Sequence, residues 1–135
     1  MRNRILLEPL LKISPKELEF NAACMQLMPE VKYVQFMHNF KKGQLFAVEC
    51  DISASDNAPW RANCNSKEVR AKRVKWTKFY HYICDGMDWL YGNVYTIPAM
   101  LQEFSEKRLI FFDLYEAKEE SSFWGVPIND LRVVD

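Results

Sequence analysis

Val31-Lys32-Tyr33-Val34-Gln35-Phe36-Met37 and Leu45-Phe46-Ala47-Val48-Glu49-Cys50 decide the fold. Both runs are rich in β-branched and aromatic residues, which suit a pleated, half-buried surface. Between them lies Asn39-Phe40-Lys41-Lys42-Gly43, whose glycine can take the positive φ that a tight reversal needs. Residues 31–50 are therefore expected to form a β-hairpin.

A second hairpin is expected downstream. Asn93 to Ile97 is one arm and Arg108 to Leu114 the other, with Glu103 to Lys107 as the polar connection and Pro98 at a strand end. What precedes each hairpin is also alike. Lys78 to Trp89 carries Phe79, Tyr82, Ile83 and Gly86 or Met87 at helical spacing, with Thr77 as the expected N-cap. Before it stands the alternating piece Val74-Lys75-Trp76. Ahead of the first hairpin, Ala22 to Met28 is a short apolar helix candidate capped by Asn21 and ended by Pro29, and Leu18-Glu19-Phe20 alternates before it. A rival reading makes Ser14-Pro15-Lys16-Glu17 a capping box that starts one helix from Pro15 to Met28. The strand reading is preferred because it makes the two stretches agree. The expected fold is thus a small single α+β domain over residues 1–135. Two strand–helix–hairpin halves, 17–50 and 73–114, would close a compact barrel or two facing antiparallel sheets.

Residues 51–72 join the halves without clear periodicity, and a connection of that length is usually functional or disordered. Trp60-Arg61 in its middle reads either as a binding tip or as an anchor tucked onto the core. The tail, 115–135, holds Phe123-Trp124, which either packs back or offers a partner an apolar patch.

The 135 residues suit one domain. With 49% hydrophobic and 27% charged residues, the composition excludes a disordered chain, a collagen-like rod and a coiled coil. No apolar run reaches the roughly 18–20 residues that span a bilayer. Ile5-Leu6-Leu7 is too short for the core of a signal peptide. A soluble, cytoplasmic protein is expected, with reduced thiols at Cys24, Cys50, Cys64 and Cys84.

Strand–helix–hairpin occurring twice resembles the swapped-hairpin barrels of the AbrB-like transcription regulators, and the MraZ family carries two such units in one chain. The stretches that carry the resemblance are Lys16-Glu17-Leu18-Glu19-Phe20-Asn21-Ala22-Ala23 through Lys41-Lys42-Gly43-Gln44-Leu45-Phe46-Ala47-Val48, and Arg73 through Leu114. The resemblance implies a DNA-associated barrel. The Asp-x-x-x-Gly-Arg signature of the one family and the Gly-Arg-hydrophobic-Thr-hydrophobic-Pro start of the other are absent, so it assigns no DNA-binding residue. The chain is also similar in character to small proteins of bacterial mobile elements.

Catalytic motifs are scarce. Four glycines, Gly43, Gly86, Gly92 and Gly125, cannot build a dinucleotide or P-loop phosphate cradle. There is no G-x-S-x-G elbow and no H-E-x-x-H. No two cysteines form the close pair that zinc usually takes, and His81 with Cys84 is the only close Cys/His spacing. Asp85 beside Cys84 would raise the thiol pKa, which opposes a nucleophile. No catalytic residue, metal or cofactor is expected.

Charge is what remains. Lys plus Arg and Asp plus Glu each number 18, yet the distribution is uneven. Lys67, Arg70, Lys72, Arg73, Lys75 and Lys78 stand with one acid, Glu68, whereas residues 103–135 hold eight acids against four bases. A basic segment gains affinity for nucleic acid by releasing counterions from phosphates. On a strand, Arg73 and Lys75 would share one face and Val74 and Trp76 the other, which favours backbone contact over base stacking. The competing reading is a basic edge strand that blocks unwanted pairing. The expected function is a non-catalytic nucleic-acid-associated protein. The alternative is a protein-interaction module or inhibitor that uses Trp60, Arg61, Phe123 and Trp124, and a cysteine-nucleophile enzyme ranks last.

Overall fold

In the computed structural model, residues 8–61 and 67–121 are described. Nine strands follow in chain order: β1 (Leu10–Ile13), β2 (Leu18–Phe20), β3 (Tyr33–Asn39), β4 (Gln44–Cys50), β5 (Asn57–Pro59), β6 (Lys72–Val74), β7 (Asn93–Phe104), β8 (Lys107–Asp113) and β9 (Lys118–Ser121). Two helices interrupt them, α1 (Ala22–Met25) and α2 (Thr77–Met87). Every strand pairing is antiparallel, in the order β5-β3-β4-β8-β7-β1-β2-β6, with β9 also on β7.

The hairpin at 31–50 pairs Tyr33 with Cys50 through Asn39 with Gln44. Its turn is a 3₁₀ turn over Phe40–Lys42 that ends on Gly43 at φ 64°. Asn21 caps α1: its Oδ1 accepts from the Cys24 N–H at 2.8 Å and from the Leu10 N–H at 3.0 Å. The capping-box helix from Pro15 does not form. The Ser14 N–H donates to the Glu17 carbonyl at 3.0 Å, which makes Ser14 to Glu17 the reversal between β1 and β2.

The expected α+β architecture of two matched halves is corrected. The described residues are mostly antiparallel β with one substantial helix, because α1 stops after four residues and α2 runs for eleven. The halves do not stand apart either. Their strands satisfy their hydrogen bonds on each other, β2 on β6 and β4 on β8, while β1 inserts between β2 and β7. Strand β7 is also longer than expected. It continues through Pro98 to Phe104 and turns at Ser105 and Glu106, both at positive φ, the geometry of a two-residue hairpin turn. On one edge β7 pairs with β9 up to Thr96 and with β8 from Ala99. The Ala99 N–H points to the opposite edge, toward Pro9, so position 98 faces the gap between β9 and β8. A proline there costs no ladder bond.

The path curls strongly. Phe36 of β3 and Phe20 of β2 lie five places apart along it, about 24 Å if the sheet were flat. Their ring centroids are 6.0 Å apart. Phe20 also meets Trp60 at 5.0 Å and Phe112 at 5.8 Å. The buried face of α2, made of Phe79, Tyr80, Ile83 and Cys84, joins this core. Among the described residues no helix is long and apolar enough to cross a membrane.

Candidate functional site

Strand β6 is the last strand of the path and pairs only with β2 among the described residues, so it brings the basic segment to a sheet edge. Burial alternates from there as a strand requires: Arg73 and Lys75 are exposed, whereas Lys72, Val74 and Trp76 are half-buried. Trp76 is taken up by Phe36 at 5.7 Å and by Phe79, stacked at 4.6 Å.

The six basic residues are not equivalent. Arg70 donates to Glu68 at 3.0 Å. Arg73 stands 3.8 Å from the Glu17 carboxylate and 3.7 Å from that of Glu19, both belonging to the reversal and strand beside it. Burial holds the Lys72 ammonium below the usual lysine range. Lys67, Lys75 and Lys78 are exposed and make no ion pair among the described residues. The carboxylates that answer the segment thus come from β2, its turn and Glu68, and within the described residues none comes from the acidic C-terminal third.

Helix α2 begins inside this segment. Its first helical bond runs from the Tyr80 N–H to the Trp76 carbonyl. Trp76, not Thr77, occupies the N-cap position, without a side-chain cap, and the first turn holds no acid. The free N–H groups of a first turn and the positive end of the helix dipole both favour an anion. Lys75 and Lys78 flank them. The sequence pointed to Thr77 as the cap and so hid this feature, because cap position depends on where the preceding strand ends.

The partner-binding residues fare differently. Trp60 is 1% exposed, wedged against Phe20 and Phe36, and its Nε1–H has no hydrogen-bond partner among the described residues. Arg61 donates to the Pro29 carbonyl at 2.5 Å and the Glu68 carbonyl at 3.1 Å. The pair is the anchor of the 51–72 connection, not a binding tip. Phe123 and Trp124 lie outside the described residues, as does Cys64. Cys84 faces the core while His81 is exposed, so the two do not meet as a nucleophile and its base. Burial raises the thiol of Cys84 and pushes that of Cys24 up to about 12. No group of three or more metal-ligating side chains gathers among the described residues.

Sequence reasoning missed one cluster altogether. Arg108 is clasped by two carboxylates at the rim of a cleft of about 560 Å³. Its backbone N–H donates to Glu49 Oε2 at 2.7 Å, its Nη2 to Glu49 Oε1 at 3.3 Å, and its Nη1 to Glu30. The hydrogen bonds from Arg108 hold both carboxyls below their ordinary value of 4.5. No local signal announces a contact between residues 59 positions apart. Because the folded pKa values are depressed, the carboxylates' contribution is fully present above about pH 5, begins to fade below 4.5 and is lost as pH falls through the lowered folded values. Its size is about 1 kcal/mol, since the groups are only partly withdrawn from water. Melting temperatures followed from pH 7 to pH 3 should fall less steeply for Glu49→Gln than for the wild type. Parallel curves would remove the pair from the acid response.

No protein-family model, no curated protein and no solved structure matches this chain. These comparisons add nothing for or against the resemblance to AbrB-like and MraZ proteins.

Proposed function

We propose that this chain is a non-catalytic nucleic-acid-associated protein that grips the phosphate backbone at the edge formed by β6 and the start of α2. One observation carries the reading. The uncapped N-terminus of α2 opens between two exposed lysines, Lys75 and Lys78, that have no carboxylate partner among the described residues. Such a site offers a phosphate directed N–H donors and mobile positive charge together. Arg73 adds to it. Its contacts to Glu17 and Glu19 are long and its own side chain is exposed, so phosphate can compete for the guanidinium at small cost. Lys67 extends the charge along the same segment. Trp76 is held by Phe36 and Phe79, so base stacking is not part of the proposal.

Binding of this kind weakens steeply with salt. With three or four phosphates neutralised, the slope of log K against log[salt] on duplex DNA is about −3. Fluorescence anisotropy with labelled duplex and single-stranded oligonucleotides, from 50 to 300 mM salt, measures it. The double variant Lys75→Glu/Lys78→Glu should bind at least about tenfold more weakly, with a slope shallower by about two. Both side chains are exposed, so the fold should persist by circular dichroism. Unchanged affinity and slope in a folded double variant would reject the proposal.

A further inference from the structure

The outer face of β3, β4, β8 and β7 is unlike the rest of the sheet. Two adjacent rows cross these four strands. One reads Met37–Phe46–Phe111–Met100 and the other Gln35–Val48–Leu109–Gln102. Neither row contains a charged residue, although 27% of the chain is charged. The outward row on the other half of the same sheet, Thr96–Lys12–Glu19–Arg73, is the contrasting case, with three charges in four positions. An outward sheet face normally carries the polar half of the alternation. Here Met37 is 53% and Met100 57% exposed, Phe104 at the hairpin tip is 73% exposed, and the Phe46 and Phe111 rings lie 5.4 Å apart, tilted by 30°, while Leu109 in the second row is 8% exposed.

We propose that this face docks on the same face of a second copy of the chain. Each row is chemically palindromic about the β4–β8 boundary, Met–Phe–Phe–Met and Gln–Val–Leu–Gln. A two-fold axis running along the strands at that boundary lays Met37 on the partner's Met100 and Phe46 on the partner's Phe111, so like chemistry meets like. Such an isologous arrangement closes after two copies. Charge does not oppose it, because the two rows are neutral and so is the whole chain. Four strands at about 4.8 Å spacing and the roughly four residue steps that two rows occupy, at about 3.4 Å, give roughly 260 Å² of flat face per copy, or about 520 Å² for the pair. Side-chain relief raises this figure, but it stays below the roughly 1,000 Å² of a stable specific interface. The dimer is therefore weak, dissociating at micromolar concentrations or above. It stands independently of phosphate binding.

Sedimentation velocity of the full chain from about 1 to 500 μM tests the proposal. The mass should rise from 16.0 kDa toward twice that value. Met37→Lys and Met100→Glu should each weaken association at least tenfold, because each places a charge against an apolar partner. The double variant should recover most of the loss, since the axis sets the new lysine against the partner's new glutamate. Within one chain the two positions are three strands, about 14 Å, apart, beyond the screening length of roughly 8–10 Å. Both methionines are more than half exposed, so thermal melts should be unchanged. A chain that stays monomeric throughout overturns the proposal. So do single variants that dimerise like the wild type, or a double variant no better than the singles, which would place any association elsewhere.

Discussion

Replacing Phe20 with alanine should lower the unfolding free energy by about 3–5 kcal/mol. Phe20 is fully buried at the end of β2, where the curled sheet brings distant strands together. Its ring touches Phe36 of β3, Trp60 at the end of the β5 connection and Phe112 of β8. None of these neighbours is adjacent to β2 in the sheet. The cavity would therefore open at the point where the two ends of the path meet, and collapse around it would have to move three separate strands. Domains of this size are stable by only about 5–15 kcal/mol, so the variant should sit close to the folding threshold. Urea denaturation measures the loss, and a value below about 1 kcal/mol would show that the ring contacts do not hold the curl closed. Phe20→Leu, which refills much of the volume, should recover more than half of the deficit.

Gly86→Ala should destabilise the protein by about 1–3 kcal/mol, against the direction that helix propensity gives. Gly86 lies in the last turn of α2 and is exposed to solvent. Alanine at an exposed helix position is ordinarily better than glycine by about 1 kcal/mol. Here a Cβ would fall 2.2 Å from Phe40 Cδ2 and 2.9 Å from Phe40 Cγ. The Phe40 ring has little freedom to retreat. His38 stacks on it at 3.9 Å and Tyr82 approaches at 5.4 Å, while the His38 Nε2 and the Tyr82 hydroxyl are hydrogen-bonded at 2.9 Å. Glycine at position 86 is thus the groove that lets α2 rest on the turn of the first hairpin. A pair of melts separates the two effects: Gly86→Ala should melt lower than wild type, and Phe40→Ala/Gly86→Ala should melt no lower than Phe40→Ala alone. A Gly86→Ala protein more stable than wild type would mean that propensity outweighs the contact.

How much of this was legible depends on the distance over which each feature is decided. The hairpin at 31–50 could be read because its alternation, its turn residues and Gly43 lie within twenty residues of one another. Asn21 could be read as a cap for the same reason. Strand β1 could not, since Leu10-Leu11-Lys12-Ile13 is four residues long and is a strand only because β2 and β7 flank it. Pro98 argued for a strand end, and only the gap between β9 and β8 makes it harmless inside β7. The basic segment was visible as residue types, but Arg70 with Glu68, Arg73 with Glu17 and Glu19, and half-buried Lys72 lost their freedom to partners and burial. Trp60 could equally have been exposed until Phe20 and Phe36 were placed around it.

By itself, then, the order of amino acids determined the local pieces: short strands, their reversals, the helix ahead of the second hairpin and the placement of positive charge near position 70. These follow from torsional preference and side-chain period, which act over a few residues. Only the tertiary structure decided that β2 pairs with β6 and β4 with β8, that α2 starts uncapped at Trp76, and that one outward face carries two uncharged rows. Those outcomes depend on burial summed over the whole sheet, where residues dozens of positions apart compete for the same hydrogen-bonding edge. No local window contains that competition.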